Sequence, residues 1–101
     1  MNGVGDKQMA NANQKTIEIK DDANLGLAIL IAEDEEGNYE PIGAVVSINE
    51  AREIAQSNLR AKRRRLERDE DPGLCPFAYK VWAQGPDGTY SPVKEFDATS
   101  L

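Results

Sequence analysis

The chain has no histidine among its 101 residues and only one cysteine, Cys75. Without histidine it lacks the side chain that most often serves as general base or metal ligand near neutral pH. A single cysteine cannot close an intramolecular disulfide, so nothing points to an oxidising compartment. Long apolar runs are missing as well. The longest is Leu27 to Ala32, far short of the ~18 residues of a membrane-crossing helix. The first residues hold no basic segment followed by an apolar one, and no secretory signal is read there. These absences set the expectation of a cytoplasmic, non-catalytic protein with no cofactor, metal or membrane contact.

Cys75 and the acidic residues offer little against that expectation. Cys75 lies between Leu74 and Pro76, with no cation nearer along the chain than Lys80. A thiolate nucleophile needs a neighbour that lowers its pKa. The Cys-Pro pair alone is too short a pattern to mark haem regulation. The run Glu33-Asp34-Glu35-Glu36 with Asn38 offers oxygen ligands around a turn. It lacks the alternating ligands and closing Glu of an EF-hand loop, and reads as a solvated turn.

What is present is charge, unevenly placed. Residues 1–46 carry three Lys and nine acids, residues 47–68 seven basic residues and three acids, and residues 69–101 two Lys and six acids. A basic segment sits inside a chain of net charge −6. Its simplest consequence is self-complementarity, within one fold or between two copies. The overall sign repels nucleic acid at long range, so a nucleic-acid role would rest on the local patch.

The chain length suits one domain. Residues 1–15, rich in Asn and Gln, read as a disordered arm, 16–97 as a single α+β domain and 98–101 as a tail. Thr16 to Lys20 alternates apolar and polar residues and reads as a short edge strand.

A near-repeat organises the domain. Gly37-Asn38-Tyr39-Glu40-Pro41-Ile42 and Gly88-Thr89-Tyr90-Ser91-Pro92-Val93 share the pattern G-x-Y-x-P-aliphatic. Each follows a turn signal and an apolar run, so each predicts a β-hairpin. The strands expected are 27–33, 39–46, 77–84 and 90–96. Pro41 marks an edge or a bulge, because proline cannot donate to a ladder. Six shared columns do not decide between duplication and reuse of one turn chemistry.

Between the hairpins, Ser47-x-x-Glu50 is a capping box, with Val46 and Ala51 placed to staple it. The stripe Ile48, Ala51, Ile54, Ala55, Leu59 and Leu66 predicts a helix over 48–68. Arg52, Gln56, Arg60, Arg64 and Arg68 form an opposite ridge. Pro72-Gly73 stops the helix by residue 71. Such a helix is ~31 Å long, against ~23 Å for a seven-residue strand. The turns holding Lys62, Arg63, Arg64 and Arg65 should therefore overhang the sheet.

Two binding candidates follow. The first is the basic helix end: Arg60, Lys62, Arg63, Arg64, Arg65 and Arg68. Planar guanidinium groups suit carboxylate or phosphate. Cations near a helix C-terminus are also favoured simply by the dipole. The second is a sheet face. If Tyr79, Val81 and Ala83 meet the helix, Trp82 lies outside beside Lys80, with Lys94, Pro92 and Tyr90 across from Lys80, Trp82 and Gln84. Lys80, Trp82, Tyr90 and Lys94 would then form an aromatic and basic surface. The reverse orientation buries Trp82 under the helix, which is the commoner place for a lone Trp.

The expected architecture is hairpin, long amphipathic helix, hairpin: an antiparallel four-stranded sheet with one helix on one face. The strand from Leu27 is apolar on both sides, more than one helix covers, so a homodimer is expected, by sheet packing or by exchange of the hairpins. The functional expectation is a protein-interaction or regulatory module, its arginine helix meeting an acidic protein surface. The alternative is a nucleic-acid-binding protein using the helix end and the Trp82 face.

Overall fold

The structure is a computed structural model, and it describes residues 19–101. The expected arm at 1–15 and most of the strand expected at 16–20 lie outside these residues. Ile19 and Lys20, which are described, are not in a strand.

The elements are β1 (Ala28–Glu33), β2 (Tyr39–Val45), α1 (Ile48–Glu67), β3 (Ala78–Gln84), β4 (Tyr90–Asp97) and a 3₁₀ turn, Ala98–Ser100. The four strands form one antiparallel sheet in the order β2-β1-β3-β4. This is the α+β arrangement, hairpin-helix-hairpin, that the sequence predicts. The strand order, open in the sequence, puts the two apolar strands β1 and β3 at the centre.

Alternation decides what each strand buries. Ala28, Leu30 and Ala32 of β1 and Tyr79, Val81 and Ala83 of β3 face α1 and are buried. The helix contributes Ile48, Ala51, Ala55 and Leu59 to the same core, and the edge strands add Val45 and Phe96. Tyr79 is fully enclosed, and its hydroxyl donates to Asn58 Oδ1 at 2.7 Å. That bond lets a polar ring tip sit in the core. The same burial pushes the Tyr79 pKa up from 10.0 to about 12.

The two hairpins superpose in sequence at a constant offset of 51 positions, which the registers reveal. Ile31 pairs with Pro41 as Trp82 pairs with Pro92, and Leu30 pairs with Gly43 as Val81 with Lys94. In both, the ladder slips by one residue, leaving Ile42 and Val93 as the extra residue of a β-bulge. Both bulged residues pack back onto the core. Both turns close alike: Asp34 N donates to Asn38 O at 2.9 Å, and Gly85 N to Thr89 O at 2.8 Å. Gly37 and Gly88 take φ of +88° and +86°, a left-handed conformation that glycine adopts without steric cost. Leu30 and Val81 are equivalent under the offset and are also register partners. A local two-fold axis, normal to the sheet, therefore passes between them. The G-x-Y-x-P repeat is thus a structural repeat: turn glycine, outward tyrosine, bulge proline and an aliphatic anchor.

The helix starts at Ser47, whose Oγ accepts from Glu50 N at 3.1 Å. Glu50 Oε1 accepts in return from Val46 N, one residue earlier than in the expected box. Val46 stays exposed, so the expected staple is not buried. At the far end Glu70 N donates to Arg65 O and Asp69 N to Leu66 O, a Schellman closure. Asp69, at φ 60°, stands where glycine is usual. The helix therefore stops before Pro72-Gly73 is reached.

Candidate functional site

Two surfaces carry the residues singled out in the sequence: the sheet face away from α1, and the C-terminal half of the helix.

The open face is built in rows across the sheet, read from the registers. Tyr39, Glu33, Ala78 and Asp97 form one end. Pro41, Ile31, Lys80 and Glu95 come next, then Ala44, Ile29, Trp82 and Pro92. Gln84 and Tyr90 close the other end. Trp82 therefore lies outside, on the face opposite the helix, and is only partly buried. Ile29, Ile31 and Trp82, all on the central strands, are half-buried, with no layer over them among the described residues. Ile31, Glu33, Tyr39 and Trp82 line a shallow, mainly apolar hollow of about 300 Å³.

This face is less basic than the sequence suggests. Lys80 Nζ lies 3.0 Å from Glu33 Oε1, and the hydrogen bond to Glu33 raises the Lys80 pKa. Across from Lys80 stands Glu95 rather than Lys94. The bulge at Val93 inserts a residue and turns Lys94 to the helix side, where its Nζ sits 5.8 Å from the Phe96 ring centre. Lys94 is therefore corrected: it does not join Lys80, Trp82 and Tyr90. A one-residue slip reverses the face of each later side chain, and the bulge has no signal in the sequence beyond Pro92. Among the described residues the face keeps one cation, Lys80, against Glu33, Glu95 and Asp97.

The helix end is split in the same way. Arg60, Arg63, Arg64, Arg65 and Arg68 are exposed, and Arg68 pairs with Glu70 at 3.6 Å. Lys62 is the exception, only 8% exposed. Three residues beyond Leu59 it falls on the core side of the helix. Its Nζ donates to Pro72 O at 2.9 Å and lies 3.2 Å from Glu40 Oε1, in an ion pair off the hydrogen-bond direction. Lys62 is thus corrected from binding candidate to a tie joining the helix, the loop behind it and β2. Leu66, expected in the core stripe, is 56% exposed because the helix has already passed the sheet edge.

A third grouping has no signal in the sequence. Arg52, on α1, sits 5.2 Å from the centre of the Phe96 ring of β4 and pairs with Asp21 at 3.2 Å. Lys94 also lies against Phe96, in a groove that Gln56, Glu95, Asp97, Ser100 and Leu101 line as well.

The acidic turn is occupied with itself. Asp34 Oδ1 accepts from Glu36 N and Asn38 N, and Oδ2 from Asn38 Nδ2. These bonds, the Asn38 side chain first, hold the Asp34 carboxyl below its usual range. Among the described residues no group of three or more Asp, Glu, Cys or His can hold a metal ion. Among them also, no helix is long and apolar enough to cross a membrane. Comparison with protein-family models, curated proteins and solved structures finds no match to this chain.

Proposed function

We propose that this chain is a small, non-catalytic protein-interaction or regulatory module of the cytoplasm, acting as a homodimer whose copies meet through their open sheet faces. The observation that carries the reading is the uncovered apolar centre of that face: Ile29, Ile31 and Trp82, half-buried on the two central strands. Central strands with apolar residues on both sides are normally covered on both sides.

A second copy fits that face better than an arbitrary partner. The local two-fold gives it a repeating pattern, Ile31 with Trp82, Tyr39 with Tyr90 and Pro41 with Pro92. A copy of the chain carries the matching pattern. Glu95 and Glu33 beside Lys80 supply both signs for exchange across the interface.

The area limits the strength. Four strands at ~4.8 Å spacing and ~23 Å length give a footprint of about 440 Å² per copy. Two copies would bury about 900 Å², below the usual ~1,200–2,000 Å² of stable complexes. The dimer should therefore exchange with monomer, and its affinity should rest on Trp82 and Ile31 as central anchors.

Nucleic-acid binding, the other reading, is supported by the exposed Arg60, Arg63, Arg64 and Arg65. The excess of acids over cations on the Trp82 face weighs against it, since stacking sites need a cationic groove for the backbone.

Light scattering at ~0.05 and ~0.5 M salt tests the dimer, because that range spans strong and weak screening. The expected result is a concentration-dependent dimer at both salts, lost in Ile31→Lys. A monomer at both salts up to millimolar protein would remove the proposal.

A further inference from the structure

Beneath the overhanging end of α1 lies a mainly apolar notch of about 240 Å³, lined by Leu59, Leu66, Pro72, Pro76 and Ala98, with Arg63 at its rim. Leu66 is largely exposed there, and Arg60 is exposed about one helical turn before Arg63. The 3₁₀ turn Ala98–Ser100 separates this notch from the groove in which Arg52 and Lys94 lie against Phe96. Both hollows adjoin α1 and this C-terminal turn, which gives Ala98 and Thr99 to the notch and Ser100 to the groove.

The groove also holds Glu95 and Asp97 on its β4 side, so the net positive charge of the α1–β4 flank lies on the helix, at Arg52, Arg60 and Arg63. Arg60, Arg63 and Lys94 make no ion pair with a described residue, and Arg52 makes one, with a half-exposed Asp21. An apolar hollow with a cationic border selects an apolar side chain flanked by carboxylates. From Arg52 to Arg63 the helix rises about 16 Å, the span of about five residues of extended chain.

We propose that the α1–β4 flank binds an acidic segment of a partner protein, an apolar side chain of that segment filling the notch at Leu66 while its carboxylates meet the helix cations Arg63, Arg60 and Arg52. This rests on the reading of the chain as an interaction module, and not on the dimer, which uses the opposite side of the sheet. Asp21 competes with the incoming carboxylate for Arg52, so its removal favours binding.

Two fluorescein-labelled synthetic peptides test the assignment: an eight-residue Glu/Asp sequence with one central Leu, and the same sequence with Ser in its place. Anisotropy is read on the full chain at low salt. The Leu peptide is expected to bind several-fold more tightly than the Ser peptide, and Leu66→Ser to abolish that difference. The pair Arg60→Glu and Arg63→Glu should weaken binding by about tenfold or more, and Asp21→Asn should strengthen it by about two- to fivefold. Equal binding of both peptides, no saturable binding of either at millimolar concentration, or indifference to the arginine reversals would each overturn the proposal. So would duplex DNA displacing the Leu peptide more effectively than unlabelled peptide does, which would assign the flank to phosphate. A chain that is monomeric by light scattering yet binds the Leu peptide keeps this inference and loses the dimer.

Discussion

The two hairpins share a turn, a bulge and a register, yet their outer strands are held by different chemistry. On β2 the anchor is ionic: Lys62 reaches from the helix to Glu40 and Pro72. On β4 it is aromatic: Phe96 is buried at the sheet edge with Arg52 and Lys94 against its ring. The residues equivalent to Glu40 and Phe96 are Ser91 and Val45. The lesson is that the backbone pattern, not the side chains on it, is what repeats. Turn glycine and bulge proline set the path of the chain, and each edge is then secured by whatever the single helix presents to it. The bulges also protect both edges, since a proline and an irregular ladder discourage pairing with another chain.

If the hairpins are equivalent about the axis at Leu30 and Val81, truncation of either residue should be severe. Both are fully buried. Leu30→Ala is expected to cost about 3 kcal/mol and Val81→Ala about 2 kcal/mol, the difference following the size of the group removed. Urea unfolding at unchanged m-value measures this. A cost below ~0.5 kcal/mol at one of them would break the comparison.

The turns come next. Gly37→Ala and Gly88→Ala force a side chain into the left-handed region at positions with no close clash. Each should cost about 1–2 kcal/mol, and the two costs should match. Unequal melting shifts would show that one turn carries a constraint the other lacks.

The third prediction sharpens a difference. The position equivalent to Tyr79 is Ala28, so one hairpin alone brings a phenol into the core. Because the folded pKa is raised above the unfolded value of 10.0 to about 12, folding keeps a proton that the unfolded chain releases. The contribution is complete below pH 10 and is lost as pH rises towards 12. The loss should amount to about 1 kcal/mol once partial solvent screening is allowed for. Tyr79→Phe should remove the alkaline dependence while lowering stability at neutral pH, because Asn58 loses its donor.

The smallest effect is expected at acid pH. Asp34 in one turn and Asp87 in the other both have lowered pKa values; bonds from Asn38 and from Thr89 lead the causes. Their contribution is present above the ordinary carboxylate range and is lost as pH falls through and below it. Asp34→Asn and Asp87→Asn should each flatten the acid limb of the stability curve slightly, and to a similar degree.

Much of this architecture is legible in the sequence because it rests on local rules. The short apolar run of Ala28–Glu33, the cap at Ser47 and the turns at Gly37 and Gly88 each dictate a conformation within a few residues. The expected ends fall within one residue of those observed for every element of the sheet and helix. What stayed hidden depends on pairing between distant segments. Trp82 has no local reason to face away from the helix; its side is set by Tyr79 and Val81 meeting Ala32 and Leu30. Lys94 changed face through a bulge that only the β3–β4 register displays. Lys62 reads as one more cation in a basic run, and only the path of the loop at Pro72 gives its ammonium a buried acceptor. The groove around Phe96 joins residues from α1, β4 and the C-terminal turn, so no contiguous motif announces it.

The open face holds the single tryptophan of the chain, and that makes its covering directly measurable. Acrylamide quenching of Trp82 fluorescence should be followed from about 0.1 µM to about 1 mM protein, a range that spans the affinities expected of a small interface. If two copies meet through this face, quenching falls and the emission shifts to the blue as concentration rises, in step with the mass, and Ile31→Lys abolishes both changes. Quenching that stays constant across the whole range, or a dimer that forms while Trp82 stays as accessible as in the monomer, would contradict the assignment of this face as the interface.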